Sequence, residues 1–324
     1  MKLLVIGHSV LDFINDGNSI KQNAGGIYYT ISLLNRLKSD QDKIFLCSQY
    51  DDETYQYFES EFEQINNNYL VRVDAIPKVH LNLFKDKERH EKYENITNNL
   101  LTDFHNLNQF DGILINMITG FDITLNQLIE IRKDYKGLIF IDVHTLSRGL
   151  DEGYKRNFRL IPDFDKWAKC LDIIQVNQRE LFTLYRNKNE IQIVEEMFNS
   201  GVKMVCVTKG DLGAKVYFIN SSEIISYFIA ARKINNPNII GCGDVFGASF
   251  FYSYIRNKNV MDSLSSAVTT SELFVENKFS HTINTALKCW LGSDFPSQVK
   301  LISLQQDHLF SFNKTSRLNF VEIN

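Results

Sequence analysis

The feature that most constrains the fold of this 324-residue chain is a regular alternation of short apolar runs with helix-length segments. The first run, KLLVIG at 2–7, is rich in aliphatic residues and ends in glycine, as expected of a strand buried on both faces of a sheet. Similar runs recur at 43–49, 112–118, 137–144, 172–177 and 202–210. Segments with the apolar spacing of helices, GGIYYTISLLNRLKS and ITLNQLIEIRKDY among them, lie between several of these runs. The alternation predicts βαβ units, and hence an α/β fold with a mostly parallel central sheet covered on both faces.

Two regions interrupt the alternation. Residues 69–97 contain extended segments around a charged KDKER turn and no helical pattern, which predicts a small β-sheet that projects over a site. The runs AKVYFIN and SEIISYFIA, at 214–220 and 222–230, are typical of an antiparallel hairpin. No linker rich in Pro, Gly or Ser flanks either region, so we expect neither to be an independent domain.

Composition and charge exclude several classes of protein. The chain is 44% hydrophobic and 23% charged, with a net charge of −4 and scattered basic residues, which argues against nucleic acid as the main partner. The five cysteines are far apart and form no CxxC pair, as expected of reduced thiols in a cytoplasmic protein. No apolar stretch approaches the length of a membrane span or has the organisation of a signal peptide. We therefore expect a soluble cytoplasmic protein whose partner is a small molecule.

The stretch NIIGCGDVFGASFFYSYI, at 238–255, places the carboxylate of Asp244 between a two-glycine turn and an apolar run. Glycines let backbone N–H groups approach a ligand, and the N-terminal end of a helix attracts anions. A carboxylate beside a bound anion suits a group that deprotonates an alcohol while its neighbours hold a phosphate. On these residues alone, a simple helix cap is the commoner role of such an aspartate.

Other candidate site residues follow the predicted strands, at the edge of the sheet where open parallel sheets bind their ligands. They are Asp12 after the first run, Gly25 and Gly26 at the start of the next helix, Asp142 and His144 after GLIFIDVH, Asn177 after DIIQVN, and Thr208, Lys209 and Gly210 after VKMVCVTKG. Asp142 and His144 are as consistent with an ordinary strand-end pair as with substrate contact. Lys209 is either an exposed side chain or a cation near phosphates.

In this order, the motifs resemble those of the ribokinase-like, or PfkB, family of carbohydrate and nucleoside kinases, from about residue 2 to about residue 290. LLVIGHSVLDF resembles the first strand with its substrate-binding aspartate, and NAGGIYYTISLLNRL resembles the double-glycine segment. IIQVNQREL contains an NxxE pattern, VCVTKGDLGAKVY a TxGxxG turn, and GCGD is similar to the GAGD signature. The resemblance implies a ribokinase-like three-layer αβα sandwich. Residues 1–295 would form the kinase domain with a β lid from about 69–97, and 296–324 a C-terminal extension to which no role is assigned.

The resemblance also implies an ATP-dependent phosphotransferase that acts on a hydroxyl of a sugar or sugar-like molecule with Mg²⁺. Asp244 would be the catalytic base, and the backbone N–H groups of Gly241, Cys242 and Gly243 would form an anion hole. The acceptor substrate would be bound by Asp12, Gly25, Gly26 and Asp142. The nucleotide side would comprise Asn177, Glu180, Thr208, Lys209, Gly210 and Gly213, with Glu180 acting on Mg²⁺ through water. Related kinases often use such lids at a dimer interface, so a homodimer formed through the lid is expected.

The chain departs from the family pattern at several positions. The family often has Asp-Thr before GAGD, where this chain has Asn238-Ile239-Ile240, and Cys242 replaces a common alanine. Thr30 lies near the position of a substrate-contacting Asn, and VENKFSHT at 275–282 lacks the glycine expected beside an adenine pocket. A sugar kinase, a nucleoside kinase and a ligand-binding protein that has lost turnover therefore all remain open. The intact glycines, Asp244, Asn177 and Glu180 favour an enzyme, but the sequence does not distinguish ribose, fructose, a sugar acid and a nucleoside.

Overall fold

The computed structural model describes residues 1–15, 17–82, 90–96, 98–150, 156–235, 237–277 and 299–303. The strands are β1 (Lys2–Ile6), β2 (Ser9–Asn15), β3 (Ile20–Gly26), β4 (Lys43–Tyr50), β5 (Asn66–Arg72), β6 (Lys78–Asn82), β7 (His90–Glu94), β8 (Gly112–Asn116), β9 (Leu138–Asp142), β10 (Arg148–Leu150), β11 (Arg156–Phe158), β12 (Ile173–Asn177), β13 (Met204–Thr208), β14 (Ala214–Asn220), β15 (Glu223–Ile229) and β16 (Val299–Ser303). The α-helices are α1 (Ile27–Leu37), α2 (Glu59–Phe62), α3 (Leu125–Asp134), α4 (Phe164–Ala168), α5 (Gln178–Leu181), α6 (Glu190–Asn199), α7 (Cys242–Asn257) and α8 (Val260–Asn277).

The main sheet has ten strands in the order β16-β15-β14-β13-β12-β9-β8-β1-β4-β5. Its seven strands from β13 to β5 are mutually parallel, and β14, β15 and β16 extend it antiparallel. The predicted hairpin is confirmed as β14 and β15. β16 lies within the predicted C-terminal extension and pairs with β15, so the main sheet continues beyond residue 295.

Side chains of each central strand alternate between two separate apolar cores. In β1, Leu4 and Ile6 join the core on one face of the sheet, and Leu3 and Val5 join the core on the other. The first core packs under α3, α4, α5 and α6, and the second under α1, α2, α7 and α8. Helices on both faces explain why the strands read as continuous apolar runs. The predicted α/β three-layer sandwich is confirmed.

A separate four-stranded sheet has the order β3-β2-β6-β7 and is here called the lid. The predicted lid segment, 69–97, is corrected by this arrangement. Its first part belongs to β5, which pairs with β4 at the edge of the main sheet, and half of the lid comes instead from β2 and β3. The KDKER turn lies outside the described residues. The pairing of β2 with β6, more than 60 residues further along the chain, leaves no signal in the local periodicity, and β3 joins the sheet only through β2.

The lid sheet has two chemically different faces. The inner face, towards the main body, carries Val10, Asp12, Ile14, Val79, Leu81, Glu91 and Tyr93. The outer face carries Phe13, Asn15, His80, Asn82, Lys92 and Glu94. Most of the apolar side chains of this sheet lie on its inner face, beside the carboxylates of Asp12 and Glu91. Among the described residues, no helix is long and apolar enough to cross a bilayer.

Candidate active site

The start of α7 is shaped by two glycines and an aromatic ring. Gly241 has φ 82°, and a β-carbon at this position would lie 2.4 Å from Cγ of Tyr29, so only glycine fits. The N–H of Val245 donates to the carbonyl of Gly241 at 3.0 Å, the first bond of the helix. The N–H group of Gly243 lies in the turn before that bond, where helix geometry supplies no intrahelical partner. This turn is therefore suited to an anion.

The sequence analysis predicted an anion hole formed by the backbone N–H groups of Gly241, Cys242 and Gly243. In the structure the N–H of Cys242 donates to the carbonyl of Ile239 at 3.1 Å, within the turn that precedes the helix. The turn therefore uses the N–H of Cys242 to hold its own shape. The Cys242 side chain is half-buried and is not part of any disulfide.

The carboxylate of Asp244 is held by an amide that the sequence analysis did not identify. Nδ2 of Asn116 donates to Oδ1 of Asp244 at 3.0 Å and lies 3.1 Å from Oγ1 of Thr30. Asn116 is the last residue of β8 and is buried, and its Oδ1 makes no hydrogen bond. Asn116 obeys the rule that polar residues at strand ends face the site. The predicted strand extends to residue 118, however, and so does not mark Asn116 as a strand-end residue.

The floor of this site is formed by β9 and β12. Nε2 of Gln175 donates to the carbonyl of Gly243 at 2.9 Å and so ties the start of α7 to the main sheet. Oδ2 of Asp142 lies 4.0 Å from where a β-carbon on Gly243 would be. Burial raises the pKa of Asp142 well above its usual value; His144 opposes the rise, and Glu180 and Asp244 add to it. Asp142, predicted to bind the acceptor substrate, thus lies under the glycine turn among other carboxylates.

Asn177 and Glu180 form a reciprocal cap at the start of α5. Oδ1 of Asn177 accepts the N–H of Glu180 at 2.9 Å, and Oε2 of Glu180 accepts the N–H of Asn177 at 2.8 Å. Glu180 is 2% exposed, so it is not a solvated surface glutamate. Its Oε1 makes no hydrogen bond and lies 3.6 Å from Nδ1 of His144. Burial lowers the pKa of His144, but Glu180 and Asp142 outweigh burial and leave that pKa raised.

These groups fit a magnesium ion held through water. Mg²⁺ prefers oxygen ligands and keeps several of its waters, and a buried carboxylate oxygen without a hydrogen bond is a suitable partner for such a water. Glu180 supplies that oxygen, and the carboxylate of Asp244 lies nearby. In the part of the chain that the structure describes, no three His, Cys, Asp or Glu side chains are arranged to bind a metal directly.

The predicted nucleotide turn follows β13, beside the cap at the end of β12. Thr208 is the neighbour of Asn177 in the parallel register, so the two strand ends meet. Gly210 and Gly213 have φ of 60° and 116°, and a β-carbon on Gly213 would lie 2.0 Å from the carbonyl oxygen of Ile229. The turn therefore depends on these glycines.

Lys209 is neither an exposed lysine nor a free cation. Its Nζ lies 2.9 Å from Oε2 of Glu190, and the hydroxyl of Tyr217 donates to the same carboxylate at 2.5 Å. Burial tends to raise the pKa of Glu190, but the bonds from Tyr217 and Lys209 leave it lowered. The contacts of Lys209 thus stabilise the base of the nucleotide turn.

On the lid side, the structure changes the local setting of three predicted residues. Asp12 lies within β2, not after the first strand, and is 4% exposed. A β-carbon on Gly25 would lie 2.2 Å from Oδ2 of Asp12, and one on Gly26 would lie 2.6 Å from the carbonyl oxygen of His8 and 2.8 Å from Cγ2 of Ile118. The two glycines end β3 and are covered by atoms of the neighbouring strand β2, of His8 and of Ile118.

Comparison with known proteins agrees with this architecture. Residues 150–285 match the family model described as pfkB family carbohydrate kinase. A pyrophosphate-dependent kinase in the ribokinase family, solved with a pyrophosphate analog and myo-inositol, aligns with a TM-score of 0.70 at 14% identity, covering 85% of this chain and 95% of that chain. Arabidopsis thaliana ribokinase, complexed with ribose and ATP, aligns with a TM-score of 0.67 at 16% identity, covering 90% and 99%.

Ribokinase from Cryptococcus neoformans in complex with ADP gives a TM-score of 0.66 at 15% identity, with 89% of this chain and 98% of that chain covered. No curated protein matches the chain. At these identities the likeness establishes the fold, and the family match at 150–285 covers the part of the chain that carries the NxxE, TxGxxG and glycine-aspartate motifs. The resemblance of this chain to the ribokinase-like, or PfkB, carbohydrate kinases is thereby confirmed.

Proposed function

We propose that this protein transfers the γ-phosphoryl group of ATP to a hydroxyl of a sugar or sugar-like small molecule. The observation that carries the proposal is the position of Asp244 in the first turn of α7. Its carboxylate is oriented by Asn116, and the N–H groups of the same turn lie beside it. A base and an anion site within one helical turn are what transfer of a phosphoryl group to an alcohol needs.

In the proposed reaction Asp244 accepts the proton of the acceptor hydroxyl as its oxygen attacks the γ-phosphorus. A new P–O bond forms, the bond from the γ-phosphorus to the bridging oxygen breaks, and ADP leaves. The N–H groups of Gly241 and Gly243, two of the three predicted for the anion hole, stabilise the negative charge on the transferring group. Gln175 holds this turn against the sheet, so its dipoles are already oriented when the substrate binds.

The nucleotide would lie across the ends of β12 and β13, where Asn177, Thr208, Gly210 and Gly213 meet. Mg²⁺, when bound, would neutralise charge on the phosphates. Glu180 would hold it through water. Asp12, on the inner face of the lid, would bind the acceptor substrate, and its replacement by alanine should chiefly raise KM for that substrate.

The test is an assay of donor consumption by the purified protein with a panel of alcohols. Both ATP and inorganic pyrophosphate are needed as donors, because the neighbours include a kinase named as pyrophosphate-dependent. We expect ADP to form only when an acceptor is present and Asp244 is intact. Tight binding of an alcohol without turnover on either donor would instead indicate the ligand-binding alternative.

A further inference from the structure

The chain that follows Asn116 is held through three consecutive carbonyl groups. β8 ends at Asn116, and the N–H of Ile118 donates to the Asn116 carbonyl at 2.9 Å, so the chain makes a tight turn there. The carbonyl of Met117 accepts the N–H of Thr145 at 3.0 Å. The next two carbonyls, of Ile118 and Thr119, lie beyond the strand, and side chains supply their partners. Buried backbone groups need such partners, because no water replaces them.

A tyrosine of the lid and an arginine of the body supply those two partners. The hydroxyl of Tyr93, on β7, donates to the carbonyl of Ile118 at 3.2 Å. Nη2 of Arg156, the first residue of β11, donates to the carbonyl of Thr119. Cζ of Arg156 also lies 4.3 Å from the centroid of the Tyr93 ring, within the range of a cation–π contact. The two side chains thus form one support, which joins the lid, β11 and the turn after β8.

The charge of Arg156 is costly where it lies. Arg156 is half-buried, and burial lowers its pKa, while Tyr93, Glu91 and Asp122 oppose the fall. Its Nε is buried and makes no hydrogen bond, so the guanidinium is not fully satisfied. An apolar side chain would fill the same space without that cost. The arginine is therefore explained by the carbonyl and the ring that it holds, and not by packing alone.

The turn held by these two side chains follows directly on the amide that orients the proposed base. Asn116 is buried, and its Nδ2 donates to Oδ1 of Asp244 at 3.0 Å. The main chain of Asn116 is fixed by β8 on one side and by its bond to Ile118 on the other, so a shift of the turn would move the amide. Hydrogen bonds weaken steeply as donor and acceptor lose their alignment. A small shift would therefore loosen the hold of Asn116 on Asp244.

We propose, on the basis of the kinase function above, that Tyr93 and Arg156 are positioning residues for Asp244. They act on the base through the turn after β8 and through Asn116. Because Tyr93 belongs to the lid, the seating of the lid and the alignment of the base are one event. A lid displaced from the body would leave Asp244 poorly oriented, and the transfer step would slow even with both substrates bound.

The first test uses two tyrosines at opposite ends of β8. Tyr93→Phe removes only the hydroxyl that holds Ile118, after the strand. Tyr135→Phe is the matched control, because the hydroxyl of Tyr135 donates to the carbonyl of Phe110, before the strand, at 3.1 Å, and Tyr135 is also buried. We expect similar falls in Tm for both variants. We expect kcat to be at least fivefold lower in Tyr93→Phe alone, with KM for ATP and for the acceptor little changed.

The second test removes the guanidinium. Arg156→Met should lower kcat at least tenfold, and Arg156→Lys, which keeps a cation and its N–H donors, should recover part of that loss. Arg159→Met is the control, since Arg159 is an exposed arginine three residues further along the chain. In the Asn116→Leu background, Arg156→Met should lower kcat less than twofold further, because both changes act on the same hydrogen bond. Tyr93→Phe replaces Arg156→Met in this cycle if the latter does not fold.

The outcomes separate this inference from the kinase proposal. Equal kcat values in Tyr93→Phe and Tyr135→Phe, or losses that multiply in full in the double variant, would overturn the positioning role and leave the kinase proposal standing. A wild-type protein that turns over no acceptor, with ATP or with pyrophosphate, would overturn both.

Discussion

The side-chain amide of Asn116 lies 3.0 Å from Oδ1 of Asp244, joining the end of β8 to the first turn of α7 across 128 residues. A donated N–H favours the ionised carboxylate, which is the form that acts as a base. Asn116→Leu removes the donor at similar size, so the acid limb of the kcat–pH profile should move to higher pH. Hydrogen bonds to charged groups contribute about 1.5–3 kcal/mol, so kcat at neutral pH should fall about tenfold or more.

Thr30→Val is the control for this prediction, because it keeps the bond between Asn116 and Asp244 and removes only the second partner of the amide. Its pH profile should match that of the wild type. If the kcat–pH profile of Asn116→Leu matched that of the wild type, the Asn116 amide would have no effect on the ionisation of Asp244.

Asp244→Asn should lower kcat by about 10²–10⁴, the usual contribution of a general base, while KM for ATP changes little. The amide is close in size, so the fold should persist. Cys242→Ala should keep near wild-type kcat, because its half-buried thiol takes no part in the proposed reaction. Steady-state kinetics on both variants test this prediction. A strong loss of kcat in Cys242→Ala with the fold intact would indicate that the thiol takes part in the chemistry.

Gly241 and Gly210 form a matched pair of left-handed glycines, with φ of 82° and 60°. A β-carbon on Gly210 meets no atom within 4 Å, whereas one on Gly241 meets the ring of Tyr29. Gly210→Ala should therefore lower the free energy of unfolding by only about 1–2 kcal/mol, the backbone cost alone. Gly241→Ala should lower it further and also reduce kcat. Chemical denaturation with activity assays tests this, and equal losses in the two variants would count against the packing argument.

The lowered pKa of Glu190 makes stability depend on pH in a defined direction. Its ionised form stabilises the folded state fully above the ordinary pKa of a glutamate, and this contribution is lost as pH falls through the lowered folded pKa. Glu190→Gln should cost about 1.5–3 kcal/mol of unfolding free energy near pH 7, and the gap from wild type should shrink as pH falls below about 4.5.

Glu130→Gln is the comparison for Glu190→Gln, since Glu130 forms only an exposed pair with Lys133, 3.5 Å apart. That pair should contribute about 0–1 kcal/mol, with little pH dependence. Urea unfolding of both variants across the pH range tests this prediction. Equal losses of unfolding free energy at every pH would refute the stabilising role of Glu190.

The outer face of the lid should form a homodimer interface. Phe13 stacks on His80 at 4.8 Å between ring centroids, and Ile20 is 67% exposed beside them. Because the inner face is used within the chain, the outer face is the one left for a second copy. Sedimentation equilibrium should show a dimer at micromolar concentration and a monomer for Ile20→Asp. A wild-type protein that stays monomeric would rule this interface out.

The layers of the fold were predictable because local periodicity reports them. β1 alternates Leu3 and Val5 against Leu4 and Ile6, and α1 keeps its apolar stripe at helical spacing, whatever the rest of the chain does. Residues at strand ends were predictable for the same reason, since topology brings such ends together. Asn177 ends β12 and caps α5, as the strand-end rule predicts, whereas Asp244 and Glu180 lie in the first turns of α7 and α5.

What the sequence did not reveal depends on pairings between distant segments. The partner of Lys209 is Glu190, and no local pattern links the two residues. β2 pairs with β6 across more than sixty residues, so Asp12 was placed at the end of a strand instead of within one. Asn116 follows a rule that was applied elsewhere, but only the structure shows which carboxylate its amide reaches.

The order of strands in the main sheet also governs when the enzyme becomes competent during synthesis. β1 lies between β4 and β8 in the main sheet. The main-sheet strands β1, β4, β5 and β8 and the four lid strands are therefore all synthesised by residue 116. The proposed catalytic base, Asp244, is synthesised much later as part of α7, and α7 packs against strands that were synthesised before it. A nascent chain on the ribosome would thus assemble its acceptor side first. Truncated products that stop before residue 242 would fold a partial sheet but have no base, and so could not consume ATP by this chemistry.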